Sequence, residues 1–411
     1  MLPNLDLEYF QYLHFYRVPD DHKRGYEESF SPRLVSIGQL HHGKPHLQHM
    51  ESYKLRFLDS YIKRMGCDFS LEALTTFAMK WINCKLPEDG RNISNDEFVK
   101  MMLLDGAVVV EVLLIRSDIR SIGMNKSLLV VMNLTNGIEE DLKHDMLLLE
   151  NQLPLRFIEY LLSFLSEPIT IYKLLLDNFN FGFAPIMASS NSFSTDFGCL
   201  SFVELLRRMI TGIDKKIQCH GDYIQICCAT QLLEAGVKFK GVKGHHFIKD
   251  IKFSNGELLM PPFIINNHTE TLLRNIIAYE KCSKRNEYIC SYVMLLHSLL
   301  DTVKDVDLLV EEGIIVNHFG RNEKVLELFN SFYTVKLEKY RSDDFYFHEL
   351  CNALNTYSKS IWHQWKAKIS KWKIILMRDY FSNPWTVISV IGAIILLLLT
   401  IAQTICSILS L

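Results

Sequence analysis

Residues 145–165 read Asp-Met-Leu-Leu-Leu-Glu-Asn-Gln-Leu-Pro-Leu-Arg-Phe-Ile-Glu-Tyr-Leu-Leu-Ser-Phe-Leu, and this stretch decides the fold class. Its second half places apolar side chains at helical spacing, namely Phe157, Ile158, Leu161, Leu162 and Leu165. Asn151 is suited to cap that helix, and Pro154 falls in the first turn, where a missing N–H costs nothing. The stretch predicts two helices that meet at a polar elbow, with Glu150, Asn151 and Gln152 fixing the bend rather than acting in catalysis.

Further helical patterns lie on both sides of the elbow. Pro45 suits the first turn of one helix, and Thr269 suits the cap of another. Residues 98–115 contain a β-branched run that fits a helix or a strand, and we favour a buried helix. Residues 223–265 differ, because short alternating runs there flank a turn at residues 254–256. We therefore expect a mostly α fold that includes a small β-hairpin element.

Composition indicates a folded body rather than a disordered or nucleic-acid-binding chain. The 411 residues are 48% hydrophobic, and 44 Lys and Arg face 47 Asp and Glu. Such a balance gives no field to hold a phosphate backbone, so nucleic acid is not an expected partner. The ten cysteines include no CxxC motif, and the first eight residues contain Asp6 and Glu8 but no basic residue, unlike a secretory signal. We expect reduced cysteines and a cytosolic body over residues 1–345.

The C-terminal segment 385–411 has the composition of a membrane anchor. It holds 27 residues without a charge, and fifteen of them are Ile, Leu or Val. A helix of this length crosses a hydrocarbon layer of roughly 30 Å. Trp385 is placed as an interfacial aromatic, and the leucines at the centre are Leu396, Leu397, Leu398 and Leu399. A buried core helix is the alternative, although such helices rarely run so far without a polar face.

Residues 346–384 precede the anchor and are basic and aromatic. Lysines at 366, 368, 371 and 373 alternate with tryptophans at 362, 365 and 372, whereas nothing charged follows the anchor. This asymmetry predicts a single-pass anchor with its basic side in the cytosol, and a helix lying on the anionic leaflet. An ordinary amphipathic helix packed on the body is the alternative. Ser389 and Ala393 also allow two anchor helices to approach, so a homo-oligomer is a further expectation.

Several ordered motifs resemble one known family. They are Val35-Ser-Ile-Gly38 with His41-His42-Gly43, Met50-Glu51 with Lys54, Asp105-Gly106 with Glu111, and Leu147 to Pro154, followed by Ala229 to Phe239, Asp250 to Phe253, Thr269-Glu270, Asn275 to Glu280, Asp305 to Leu309 and Asn383-Pro-Trp385. In this combination they resemble the plant family known as domain of unknown function 247, also called UPF0481. Gln39 and Ala107-Val108 depart from the family pattern.

The resemblance implies a plant source and association with a membrane. It also suggests a role in recognition, because some members lie at self-incompatibility loci of grasses, where they are regarded as pollen-side determinants. It carries over no catalytic residue. In residues 178–223 the helical pattern of apolar residues weakens, and Ser, Asn, Gly and Phe are frequent. Such a stretch is typical of a long loop or a variable surface that binds a partner.

A histidine cluster supplies the alternative hypothesis. His41, His42, His46 and His49 are the densest set of potential metal ligands, although no nearby carboxylate or cysteine completes a recognised pattern. Asp105 and Glu111 are six residues apart, which on a helix places them on different faces. No GxSxG, P-loop, GxGxxG or HExxH motif is present, so we expect no cofactor. The favoured hypothesis is a membrane-tethered, non-enzymatic interaction protein with an unidentified protein or peptide partner; the alternative is a metal-dependent enzyme at the histidines.

Overall fold

The computed structural model describes most of the chain. The described residues are 16–66, 70–82, 93–114, 136–166, 169–179, 201–212, 221–242, 247–283, 286–333 and 345–360, together with 372, 388–389, 392–393, 395–401 and 403. The α-helices are α1 (Asp20–Lys23), α2 (Gln48–Arg64), α3 (Leu71–Met79), α4 (Asn95–Leu114), α5 (Asn136–Met146), α6 (Leu155–Ser163), α7 (Ile171–Asn178), α8 (Phe202–Thr211), α9 (Ala229–Glu234), α10 (Thr269–Cys282), α11 (Tyr288–Leu299), α12 (Val303–Glu311), α13 (Asn322–Tyr333) and α14 (His348–Lys359). The expected mostly helical fold is confirmed.

Helix α4 lies at the centre of the first helical group. Every residue from Phe98 to Leu114 is buried except Lys100, because α2, α3, α5, α6 and α7 all pack against it. This burial explains why a β-branched run forms a helix, since tertiary packing outweighs local propensity. Gly106 permits the closest approach, because a Cβ atom there would lie 2.4 Å from Leu161 Cδ1 and 2.9 Å from Phe157 Cε1 on α6.

Helix α8 (Phe202–Thr211) lies within residues 178–223, where the sequence predicted a long loop, and corrects that expectation. All ten of its residues are buried, and α10 and α11 pack against it. Ser201 caps its first turn by accepting the Glu204 N–H at 3.1 Å, and Gly212 ends it with φ +65°. Apolar residues at helical spacing between these two signals would have revealed the helix. The remaining parts of the predicted loop, 180–200 and 213–220, lie outside the described residues.

The β-structure includes the predicted hairpin and a second pair of strands. Strands β1 (Lys238–Gly241), β2 (Lys252–Ser254) and β3 (Glu257–Met260) form a sheet in the order β1-β3-β2, with β1 parallel and β2 antiparallel to β3. Asn255 and Gly256 both have positive φ, as a tight hairpin turn requires. Strands β4 (Phe263–Ile265) and β5 (Ile315–Asn317) add a parallel pair. The sequence reading missed β5, because three residues are too few to show an alternating pattern.

The last helix of the body, α14, packs on the three-stranded sheet. Cys351 and Leu354 are buried, and the Tyr357 ring meets the Phe253 ring of β2 edge-on at 5.3 Å. The packed body therefore extends to residue 360, beyond the expected boundary at 345. The stretch 361–371 lies outside the described residues, as does 373–387.

The C-terminal segment is described only in part. Its described residues are helical, and the four leucines Leu396, Leu397, Leu398 and Leu399 are 59–67% exposed. Trp385 and 404–411 lie outside the described residues. Within the part of the chain that the structure describes, no helix combines the length and the apolar character needed to cross a bilayer.

A contact between Glu140 on α5 and His268, which precedes α10, predicts a pH effect on stability. His268 Nε2 lies 2.6 Å from the Glu140 carboxylate, and burial lowers the pKa of His268 below 6.5 although the carboxylate acts in the opposite direction. His268 therefore binds a proton more readily in the unfolded chain than in the folded protein. Neutral His268 contributes to the stability of the fold above pH 6.5, and this contribution is lost as the pH falls through the pKa of His268 in the folded protein. His268→Gln should reduce the loss of Tm between about pH 7.5 and about pH 5.5. An unchanged slope would contradict this assignment, and His318→Gln, at an exposed histidine, is the control.

Candidate functional site

A buried polar network surrounds residues 33–38, which we call the strap. The strap forms neither helix nor strand, and Val35, Ser36 and Ile37 are almost completely buried. Backbone N–H and C=O groups in such a segment have no regular ladder to join, so each buried group needs another partner. Side chains from α2, α4, α5 and the elbow between α5 and α6 supply these partners. We call this set of side chains the clasp.

Asp145 binds the first half of the strap. Its carboxylate accepts the backbone N–H groups of Arg33, Leu34 and Val35, each at 2.8 Å. It also lies 3.1 Å from Nδ1 of its neighbour His144. Three N–H bonds to one buried carboxylate fix the path of the chain and compensate the loss of water around the charge.

Asn151 binds the middle of the strap. Its Oδ1 accepts the Ile37 N–H at 2.7 Å, and its Nδ2 donates to the carbonyls of Val35 at 3.1 Å and Asp145 at 3.0 Å. The expectation that Asn151 caps α6 is therefore wrong. Pro154 stands at that position, with no side-chain capping bond. The amide joins the elbow to the strap instead.

Gln152 joins the elbow to α8. Its Nε2 donates to the carbonyls of Met146 and Leu148 at 2.9 and 2.8 Å, and its Oε1 accepts the Phe202 N–H at 3.2 Å. Glu150, in contrast, binds the N-terminal segment: its carboxylate accepts from Val18 N at 2.7 Å and from Lys23 Nζ at 2.8 Å. The expected elbow residues thus fix the bend and also hold three distant segments.

Lys54 and Asp105 complete the clasp from α2 and α4. Lys54 has no exposed side-chain surface, and its Nζ lies 2.6 Å from Asp105 Oδ1, 2.6 Å from Glu51 Oε1 and 2.8 Å from the carbonyl of Ser36. Asp105 Oδ2 accepts the N–H of Gly38 at 2.8 Å. Burial alone would lower the pKa of Lys54, but the two carboxylates outweigh burial and raise it.

Glycine is required where the strap passes the elbow. Gly38 has φ +79°, and a Cβ atom at this position would lie 2.5 Å from the backbone oxygen of Gln152. Both the left-handed backbone and the close approach therefore exclude a side chain.

Chemically, the clasp binds the protein's own backbone. Its charged groups are buried and hydrogen-bonded to the strap or to each other. A cavity beside it, lined by Ile37, Asn151, Gln152 and Phe202 among others, has a volume of about 20 Å³. Such a volume holds roughly one water molecule.

Glu111 forms a second polar contact between α2 and α4. It accepts from Ser60 Oγ at 2.9 Å and pairs with Arg64 Nε at 2.9 Å, and burial raises its pKa despite the arginine. Asp105 and Glu111 therefore both face α2, contrary to the expectation of different faces, because α2 and α4 lie side by side over several turns. Each has its own cationic partner, so they do not act as paired acids.

The structure separates the candidate metal ligands. His41 is buried with Nε2 3.8 Å from Glu150, whereas the exposed His46 lies 3.3 Å from the carbonyl of Pro32. His49 is exposed and its ring lies 5.1 Å from the ring of Tyr53, and His42 is half-buried. Across the described ranges, no three His, Cys, Asp or Glu side chains are grouped as a metal site would need. The metal-enzyme hypothesis gains no support from this geometry.

Comparisons with known proteins identify the family of the chain. The profile of DUF247, described as a plant protein of unknown function, matches residues 15–399. UPF0481 protein At3g47200 of Arabidopsis thaliana is 24% identical, with 96% of this chain and 86% of that protein covered. Putative UPF0481 protein At3g02645 of the same plant is 28% identical over 44% of this chain and 32% of its own length. No solved structure matches significantly. The chain therefore belongs to the DUF247 family of plant proteins.

Proposed function

We propose that this chain is a membrane-tethered, non-enzymatic interaction protein whose helical body is held at the cytosolic face of a bilayer. The observation that carries the proposal is the exposed helical run of Leu396, Leu397, Leu398 and Leu399, each about three-fifths exposed. Four consecutive leucines in water are unfavourable, because each buried CH₂ group is worth roughly 0.8 kcal/mol. A lipid environment removes that cost.

The charges around the run support the orientation. The sequence between the body and the apolar segment contains Lys366, Lys368, Lys371, Lys373 and Arg378, whereas residues 385–411 carry no charge. Lysine and arginine remain preferentially on the cytosolic side of a span. The body then lies in the cytosol.

The clasp supports a role in binding rather than catalysis. Its most buried charged groups are Lys54, Asp105 and Asp145. All three form hydrogen bonds to the strap and therefore stabilise the fold. A rigid body of this kind suits a protein that presents a surface to a partner protein or peptide. A role in recognition, including self-incompatibility-type recognition, belongs to this proposal.

Membrane fractionation of the full chain tests the tether. Leu397→Arg/Leu398→Arg should move the protein from the carbonate-resistant membrane pellet to the supernatant, because each arginine costs about 3 kcal/mol at the centre of a membrane helix. Leu55→Arg/Leu71→Arg is the matched control, since these leucines are 55% and 52% exposed on the body. A native chain found in the supernatant, or a double variant still in the pellet, would overturn the proposal.

A further inference from the structure

One face of the three-stranded sheet carries a group of exposed lysines. In the register of the strands, Lys240 on β1 and Lys252 on β2 both align with Leu259 on the central strand β3. Lys238 lies two residues before Lys240 and therefore points to the same side. All three lysines are exposed. We call Lys238, Lys240 and Lys252 the lysine face.

The opposite side of the same sheet belongs to the core. Phe239 and Leu258 are 3% and 0% exposed, and the half-buried Phe253 packs on Tyr357 of α14. The sheet is thus held rigidly from behind. Its lysines are fixed in position relative to the body.

The charges of the lysine face are not neutralised within the described part of the chain. None of its three lysines forms an ion pair or a hydrogen bond through its side chain with a described residue, whereas Lys23, Lys54 and other lysines of the body do. Glu257 on β3 is aligned with Lys238 and places one carboxylate on the same face. Adjacent strands lie about 4.8 Å apart, so the backbones of Lys240 and Lys252, on either side of β3, are separated by about 10 Å.

The position of the lysine face relates it to the C-terminal segment. Helix α14 packs on β2 from the core side, through Tyr357 and Phe253, and the described body ends one residue after this helix, at residue 360. The residues that follow carry Lys366, Lys368, Lys371 and Lys373 and then the apolar segment. Only a short length of sequence therefore separates the end of α14 from this basic stretch.

We propose that the lysine face binds the anionic lipid headgroups of the bilayer that the C-terminal segment enters. The inference rests on the proposed tether and adds to it an orientation of the body. Positive charge on one face of the sheet, together with the basic stretch that follows α14 in the sequence, matches a negatively charged cytosolic leaflet. Half-buried Leu259 at the centre of the face gives the lysine stems an apolar surface to lie on.

Lysine-resolved chemical labelling of the full chain tests the contact. The chain is reconstituted in vesicles of phosphatidylcholine, or of phosphatidylcholine with phosphatidylserine, and treated with an amine-reactive acetylating reagent before mass spectrometry. Phosphatidylserine should slow labelling of Lys240 and Lys252 by about fivefold or more, and high salt should restore it. Lys304 on α12 and Lys324 on α13 are exposed and should label equally in both lipids. Equal labelling of the lysine face in both lipids, on vesicle-bound protein, overturns the inference.

A charge-reversed pair gives an independent readout. Lys240→Glu/Lys252→Glu should weaken co-sedimentation with phosphatidylserine vesicles relative to Lys304→Glu/Lys324→Glu, which changes the total charge equally. Binding to neutral vesicles reports the tether by itself. If the native chain does not bind neutral vesicles, the proposed tether is wrong. The lysine face is still supported in that case if the native chain binds anionic vesicles in a salt-sensitive way and Lys240→Glu/Lys252→Glu abolishes this binding. If the native chain shows no such binding to anionic vesicles, the proposal for the lysine face is wrong. Protection of the face by polyglutamate but not by phosphatidylserine would also overturn it, in favour of an acidic protein partner.

Discussion

Lys54→Met should lower the free energy of unfolding by about 3–5 kcal/mol, the cost of leaving a buried charge without its partner. Lys54 has no exposed surface, and its ammonium group lies 2.6 Å from Asp105, which is also buried. Methionine fills similar space but leaves Asp105 Oδ1 and the Ser36 carbonyl without the lysine donor. Denaturant unfolding of the detergent-solubilised chain measures the effect, with tryptophan fluorescence as the signal because Trp81 is completely buried.

Two further variants show whether the loss comes from the unpaired carboxylate. Lys54→Met/Asp105→Leu removes both charges and should recover much of the stability, since apolar replacement of a whole buried ion pair is often neutral. Lys63→Met breaks the exposed Lys63–Asp59 pair, 2.5 Å apart, and should cost no more than about 1 kcal/mol. A Lys54→Met protein as stable as the Lys63→Met protein would mean that the clasp does not depend on this charge.

Local sequence pattern predicted the elements whose signals are short-range. The apolar residues of α6 recur with the period of an α-helix, and asparagine and glycine at 255–256 favour the positive φ of a tight turn. Helix α2 began where Pro45 indicated, after a single 3₁₀ turn. These features depend on residues within a few positions of each other.

The partners of the clasp could not be predicted in the same way. Lys54 and Asp105 are 51 residues apart, and Asp145 binds Val35 across 110 residues. A lone buried lysine looks like a surface residue in the sequence, since lysine is rarely buried without a partner. Asn151 was misassigned for a related reason: an asparagine before a helix fits a cap, whereas its partner Ile37 lies 114 residues away.

The motifs that resemble the family meet in the folded body. Gly38 of the first motif binds Asp105 of the third, and Lys54 of the second binds Asp105 as well. Later motifs are joined in the same way, because Leu149 N donates to Asn275 at 2.8 Å and Thr230 N donates to Asp305 at 2.7 Å. Side chains of one motif therefore form hydrogen bonds with the backbone or side chains of another motif that lies far away in the sequence. In this chain, the matched motifs therefore serve the fold.

Asn151→Ala should lower the free energy of unfolding by about 3–5 kcal/mol because it leaves three buried backbone groups without partners. They are the Ile37 N–H and the carbonyls of Val35 and Asp145, and each orphaned buried group costs about 1–3 kcal/mol. The small cavity beside Asn151 admits roughly one water molecule. Such a water can bind one of the three groups, so the expected loss of stability is smaller than the sum of the three costs.

A substitution series separates binding of the strap from capping of a helix. Asn151→Asp keeps an acceptor for the Ile37 N–H but loses both donors, so we expect it to be destabilising as well. Ser70→Ala removes a genuine cap, the bond from Ala73 N to Ser70 Oγ at 3.2 Å, and should cost about 1 kcal/mol. Because the strap crosses the centre of the body, hydrogen exchange at Val35 and Ile37 should rise in Asn151→Ala and remain unchanged in Ser70→Ala. An Asn151→Ala protein that loses no more than Ser70→Ala, with both amides still protected, would show that Asp145 and Asp105 hold the strap without the amide.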